Sequence, residues 1–221
     1  RSSDLLLIIG VITSITIKII KENLDNIKYA NMAKAQYSRA AQAVEQIKIE
    51  NSLQDFRQKY GSFINEFSKY FRTEKIYVNG RHDLLNSITY KTLNGKTAAT
   101  NLLDDGEMLV SDGSIWYFEN PANTDRLFIS VDVNGYKKPN KYGHDIFQFT
   151  IRDKSDKLMP EKQTKTFTEE ELETQPYPDL AGTPCNKNSK QKANGVGCAW
   201  YAFNNINPDD ETKTYWDNLP R

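Results

Sequence analysis

Four oxygen-bearing residues, Asp132, Asn134, Asn140 and Asp145, fall within one short stretch of the chain. Carboxylate and amide oxygens gathered in a turn could hold Ca²⁺, which takes about six to eight oxygen ligands. Only two of the four are carboxylates, and their spacing is not that of an EF-hand. The competing reading makes Asn134-Gly135 one turn, Pro139-Asn140 a second, and Asp145 a cap for nearby backbone N–H groups. The chain has two cysteines, Cys185 and Cys198, in a Gly- and Asn-rich segment. They read as a disulfide in an oxidising compartment, or as two free thiols in a reducing one. The two histidines, His82 and His144, match no zinc spacing with these cysteines.

Catalytic signatures are missing from the sequence. It contains no Gly-x-Ser-x-Gly, no P-loop and no Gly-x-Gly-x-x-Gly. Asp104-Asp105, Glu169-Glu170-Glu171 and Asp209-Asp210-Glu211 are adjacent carboxylates in polar tracts and read as solvated surface. An enzyme with a small-molecule substrate is therefore not expected. Lys+Arg and Asp+Glu both total 29, so there is no global field to recruit a charged polymer. Arg72, Lys75, Arg81, Lys91 and Lys96, interleaved with Tyr77 and Tyr90, make a local basic patch. Glu74 and Asp83 dilute it, and no nucleic-acid partner is expected.

The elements that must position these residues fall into three stretches. Leu5, Leu6, Leu7, Ile8, Ile9, Gly10, Val11, Ile12, Ile15 and Ile17 form an apolar run with no charge before Lys18. The run is shorter than the roughly 20 residues that span a bilayer. It fits a signal-peptide core, a buried core helix, or a membrane helix whose first residues precede Arg1. Ala33, Tyr37, Ala40, Val44 and Ile47 then recur at steps of four and three, the period of one helical face. Ile49, Leu53, Phe56, Tyr60, Phe63, Phe67 and Tyr70 continue the series. This predicts one helix from about Asp4 to about Gln58 and a second packed segment to about Phe71, with Gly61 as a break. Tyr29 and the residues before it are expected to have no head to pack on.

After Arg72 turn signals arrive often. Met108-Leu109-Val110 and Ile115-Trp116-Tyr117-Phe118 flank Asp112-Gly113, a hairpin signal. Leu127–Val133 and Ile146–Ile151 alternate as strands. A small antiparallel sheet of three or four strands should pack one face on the aromatic stripe of the helix. From Arg152 to about Gly195 the chain reads as a long loop. A Cys185–Cys198 ring would clip it, at roughly 2–4 kcal/mol. Ala199–Phe203 reads as an edge strand or turn, and the tail after Asn205 as solvated, with Trp216 as an anchor.

These residues resemble a family, the type IV pilin-like proteins, including the pseudopilins of type II secretion. The apolar Ile9–Ile17 helix looks like the segment that follows a prepilin cleavage site. Tyr29 through Ala41, with Ala35-Gln36-Tyr37-Ser38 and Ala40-Ala41-Gln42-Ala43, resembles its amphipathic continuation. Val131-Asp132-Val133-Asn134-Gly135-Tyr136-Lys137-Lys138-Pro139-Asn140, with Gly143, Asp145 and Phe147, is similar to the head pattern of prepilin-type proteins. In that alignment Arg1 stands at the family's glutamate position and Lys18 at its usual proline. Calcium binding at the head loop is what the resemblance adds to the four oxygen-bearing residues.

The expectation is an α+β fold: a long N-terminal α-helix, a pilin-like stalk, packed on a small antiparallel β-sheet head with a disulfide-clipped C-terminal loop. Residues 1–28 would form the membrane and filament-core half of the helix. Residues 29–221 would form a periplasmic or extracellular head, with 29–72 helical, 73–152 β-rich and 153–221 loop-rich. The resemblance implies a structural subunit of a pilus or pseudopilus. Its partners would be other pilin or pseudopilin subunits, and the inner membrane before assembly. Two alternatives stand beside it. One is a membrane-anchored extracytoplasmic binding protein that does not polymerise. The other is a soluble helical-hairpin protein in which Leu5–Ile17 is core.

Overall fold

The computed structural model describes residues 2–50, 60–78, 80, 82–121, 126–152 and 157–220, excepting the side chains of 2–14, 50, 60, 62 and 180. Helix α1 runs from Ser2 to Glu50. At 1.5 Å per residue its 49 residues extend about 70 Å. Helix α2, Tyr60–Ser68, follows. The predicted helix to Gln58 therefore holds as far as Glu50, and its last residues lie outside the described ones.

Six antiparallel strands come next, paired in chain order: β1 Thr73–Val78, β2 Gly106–Val110, β3 Ile115–Glu119, β4 Arg126–Asp132, β5 Ile146–Arg152 and β6 Leu158–Pro160. The central four are the strands expected from alternation and from the Asp112-Gly113 turn. Strands β1 and β6 correct the expected count of three or four. β1 is Thr-Glu-Lys-Ile-Tyr-Val, too charged to stand out, and β6 ends on a proline at the sheet edge, where a missing N–H is tolerated. The long polar stretch also carries a short helix α3, Glu169–Glu173, opened by a Thr168–Glu171 capping box.

The sheet is covered on both faces, which is why its central strands are buried along their whole length. On one face Ala33, Ala40, Val44 and Ile47 of α1 and Phe63 and Phe67 of α2 pack on Trp116, Phe118, Ile129, Phe147 and Phe149. Alanines in this stripe let the helix lie close, and aromatic rings fill the remaining depth. Phe67 meets Phe118 edge-on with centroids 5.4 Å apart. On the other face Leu84, Leu102, Leu103 and Ala193 cover Tyr117, Phe128 and Tyr142. Two members of the expected helical stripe lie outside the core: Ile49 is 78% exposed and Tyr70 is exposed.

The C-terminal segment departs further from its reading. Ala199–Asn204 is a helix, α4, not an edge strand. A five-residue apolar run has no decisive period, and here Ala199, Tyr201 and Ala202 turn inward together. The tail is not solvated either, because Tyr215 and Trp216 are buried. The Cys185–Cys198 disulfide is present, with Cα atoms 5.1 Å apart, and both residues are buried in the helix-side core.

Removing the disulfide by Cys185→Ser with Cys198→Ser should cost about 2–4 kcal/mol of unfolding free energy in urea titrations. Phe67→Ala should cost about 3–5 kcal/mol, because its aromatic neighbours cannot collapse into the space.

Candidate functional site

The loop between β4 and β5, residues 133–145, brings Asp132, Asn134, Asn140 and Asp145 together at the end of the head where α1 departs. Asp132 closes β4 and is fully buried. Its Oδ1 accepts from the backbone N–H of Asn134 at 3.2 Å and of Gly135 at 2.8 Å. Its Oδ2 accepts from the Tyr90 hydroxyl at 3.2 Å, and Tyr90 bonds Tyr117 at 2.7 Å. Asp145 is also fully buried. It accepts from the N–H groups of Lys141 at 2.7 Å and Asn140 at 2.8 Å.

Backbone geometry explains the turn residues. Gly135 has φ +61°, and a Cβ there would lie 2.1 Å from the Gly113 carbonyl of the β2–β3 hairpin. Asn140 takes the left-handed region at φ 51° after a cis Lys138–Pro139 bond. With its amide nitrogen turned toward them, Asn140 would donate to the carbonyls of Lys137 at 2.6 Å and Gly135 at 3.1 Å.

The loop ties three distant parts of the chain. Asn134 Nδ2 donates to the Tyr29 hydroxyl of α1 at 3.2 Å, and that hydroxyl donates to the Lys138 carbonyl at 3.3 Å. Lys141 Nζ donates to the Pro220 carbonyl at 2.8 Å. Just above, Asn26 donates to the Trp216 carbonyl at 2.7 Å. So the expectation that Tyr29 and earlier residues have no head to pack on is corrected by about one turn. The C-terminal tail folds back and holds α1 as far as Asn26.

All four carboxylate oxygens of Asp132 and Asp145 thus already accept hydrogen bonds from within the head. Asn134 and Asn140 turn their amide N–H groups onto backbone carbonyls, although Asn134 Oδ1 is buried without a partner. This donor set closes the turns of the loop. Burial first, and then mutual repulsion, push the Asp132 carboxyl well above its ordinary range. Burial pushes Asp145 up to about 7, against the hydrogen bonds that favour its charged form.

The remaining sequence candidates disperse. His144 is half-buried, and burial and Lys141 depress its imidazole to about 3, so it stays neutral. His82 stands apart near Gly80. Tyr90 of the basic patch is buried and offers no face for a base to stack on. Asp104 and Asp105 are half-buried rather than solvated, and Glu119, which sequence reasoning passed over, joins them. Burial and Asp104 push the Glu119 carboxyl up to about 9. Nothing local in the sequence marks this meeting, because β3 delivers Glu119 from across a hairpin.

Along α1 the side chains of Leu5, Leu6, Leu7, Ile8, Ile9, Gly10, Val11 and Ile12 lie outside the described residues, whereas Ile15 and Ile17 are exposed. Among the described residues no helix is long and apolar enough to cross a membrane. Comparison of the chain with protein-family models, with curated proteins and with solved structures returns no match.

The buried acid pair fixes a pH dependence. Both carboxyls have folded-state pKa values above the unfolded value of about 3.9. Their contribution is full below that value and is lost as pH rises through about 7. Lys141, Tyr29, Tyr90 and Tyr117 are titratable groups that act on the pair. In EDTA the urea midpoint should fall between pH 5 and pH 8. Asp132→Asn keeps the bonds to Asn134 and Gly135 and can donate to Tyr90, so it should flatten that slope. A midpoint that rises with pH would contradict this account.

Proposed function

We propose that this chain is a structural assembly subunit of the type IV pilin-like kind, built to pack its N-terminal helix against the helices of other subunits. The observation that carries the reading is the half of α1 before the head. There Ile15, Ile17, Ile19, Ile20, Leu24 and Ile27 are between 41% and 62% exposed. Ile17, Ile20, Leu24 and Ile27 recur at steps of three and four. At 100° per residue they lie about 180° from the stripe of Ala33, Ala40, Val44 and Ile47 that meets the sheet. They point away from their own head. Ile15 and Ile19 add apolar surface on the other side. A helix apolar on opposite sides is a helix to be surrounded.

Other subunits' helices are the occupant this geometry favours. Each buried aliphatic side chain would contribute about 1.5–3 kcal/mol, so a few contacts per neighbour suffice for a stable bundle. Lys18, Lys21 and Lys28 alternate in this stretch with Glu22 and Asp25, and charges of both signs suit side-by-side packing of like helices. The run Leu5–Ile17 would rest in the inner membrane before assembly. The head would stand in the periplasm or outside the cell, where the disulfide is stable. The finished object would be a surface pilus or a short secretion pseudopilus.

Ile20→Asp with Leu24→Asp alters only exposed positions, so the unfolding free energy from urea titration should move by no more than about 0.5 kcal/mol. In sedimentation velocity after detergent removal, the full chain should form large assemblies and this variant should remain monomeric. A wild-type chain that sediments as a monomer without detergent would remove the basis of the reading. So would equal assembly by the variant, whereas association only with lipid vesicles would favour a membrane-anchored protein that does not polymerise.

A further inference from the structure

On the sheet face away from α1, ligand oxygens of Asp104, Asp105 and Glu119 lie within 4.8 Å of one another. Asp104 and Asp105 lead into β2, and Glu119 ends β3. The backbone N–H of Asn120 donates to Asp105 Oδ2 at 2.8 Å, which fixes that carboxylate in place. Among the described residues none of the three forms an ion pair. Three carboxylates this close repel one another strongly unless a positive charge or a shared proton sits among them.

Two unpartnered buried groups distinguish this cluster from a solvated acidic patch. Glu119 is 9% exposed, and its Oε2 is buried with no hydrogen-bond partner. Tyr142 is fully buried, its hydroxyl has no partner, and Asp104 is the carboxylate that acts on it electrostatically. A buried tyrosine hydroxyl normally finds a partner, and leaving it orphaned is unfavourable. The same sheet face carries two more orphaned groups further along, the Ser130 hydroxyl opposite Tyr117 and the Gln148 amide, paired across β4 and β5. Three carboxylates within reach of one ion, one of them buried with an unpartnered oxygen, describe a place for a cation.

We propose that Asp104, Asp105 and Glu119 bind a divalent cation, with the Tyr142 hydroxyl at its margin. The donors are all oxygen, which selects a hard ion over zinc or copper. They come from a strand end and a strand approach rather than from a rigid octahedral cage, which favours Ca²⁺ over Mg²⁺. Bound there, the ion would pin the segment before β2 to the end of β3 and so stiffen the cover over that face. Its three carboxylates are distinct from the Asp132–Asp145 pair and from the assembly surface of α1, and only Tyr142 is shared with the β4–β5 loop.

Calcium titrated calorimetrically into the EDTA-stripped full chain at pH 7.5 should bind. A calcium concentration about 100-fold above Kd should raise Tm by about 5–10 °C. Glu119→Gln should weaken calcium binding about tenfold or more, Glu119→Asp should retain part of it, and Tyr142→Phe should weaken it less. Glu169→Gln, on a distant exposed helix, should bind like wild type. Absence of any calcium, manganese or magnesium response in the wild-type chain would overturn the proposal. Undiminished calcium binding by Glu119→Gln would overturn it too, by placing the ion elsewhere. If Glu119→Gln raises Tm while the wild-type chain ignores calcium, the cluster is a proton-sharing pair and not a cation site.

Discussion

One helix is longer than the surface available to cover it, and the rest of the molecule follows from that mismatch. Adjacent strands stand about 4.8 Å apart, so six of them offer a face roughly 25 Å wide. Helix α1 extends about 70 Å. Its stripe from Ala33 to Ile47 finds the sheet, α2 and α4, and there small residues give way to aromatic neighbours. Everything N-terminal to Asn26 runs on past the head. Apolar surface in that position is costly in water, roughly 25 cal/mol for each Å² left wet.

The head is organised to hold the helix where it leaves. Two turns do most of this. At the β2–β3 hairpin Asp112 accepts from Gln36 at 2.9 Å and sits 3.6 Å from Arg39, whose guanidinium lies 4.3 Å over Phe71. At the β4–β5 loop Tyr29 is held by Asn134 and Lys138. Gly135 packs against Gly113, so the two turns brace each other. The tail completes the collar through Trp216 and Asn26. Burying the Asp132–Asp145 pair is unfavourable on its own, and it is tolerated because both carboxylates organise the loop N–H groups that would otherwise be orphaned.

Much of this was legible in the sequence where the signal was local. The 3.6 period from Ala33 to Ile47 marked the packed half of α1, the Asp112-Gly113 turn marked a hairpin, and the late cysteines marked a disulfide. The reading failed where tertiary context overrode local texture. β1 is a charged edge strand, and Ala199–Phe203 has equal claims to strand and helix until Trp216 and Phe147 are in place. The contact between Trp216 and Asn26 joins positions 190 residues apart, beyond any local pattern. The Asp104–Asp105 pair looked solvated because the third carboxylate, Glu119, arrives only when β2 and β3 pair. The oxygen-bearing cluster at Asp132–Asp145 was found, but its oxygens proved to be engaged by the loop that presents them.

The central claim is that the exposed side of α1 meets the same helix of another copy. A photo-crosslinking residue introduced at Ile20 in the full-length chain, expressed in its membrane context, tests this most directly. The account predicts covalent dimers and higher multimers, joined between residues 15 and 28 of neighbouring copies. Cross-links to lipid alone, or only within one chain to its own head, would contradict it.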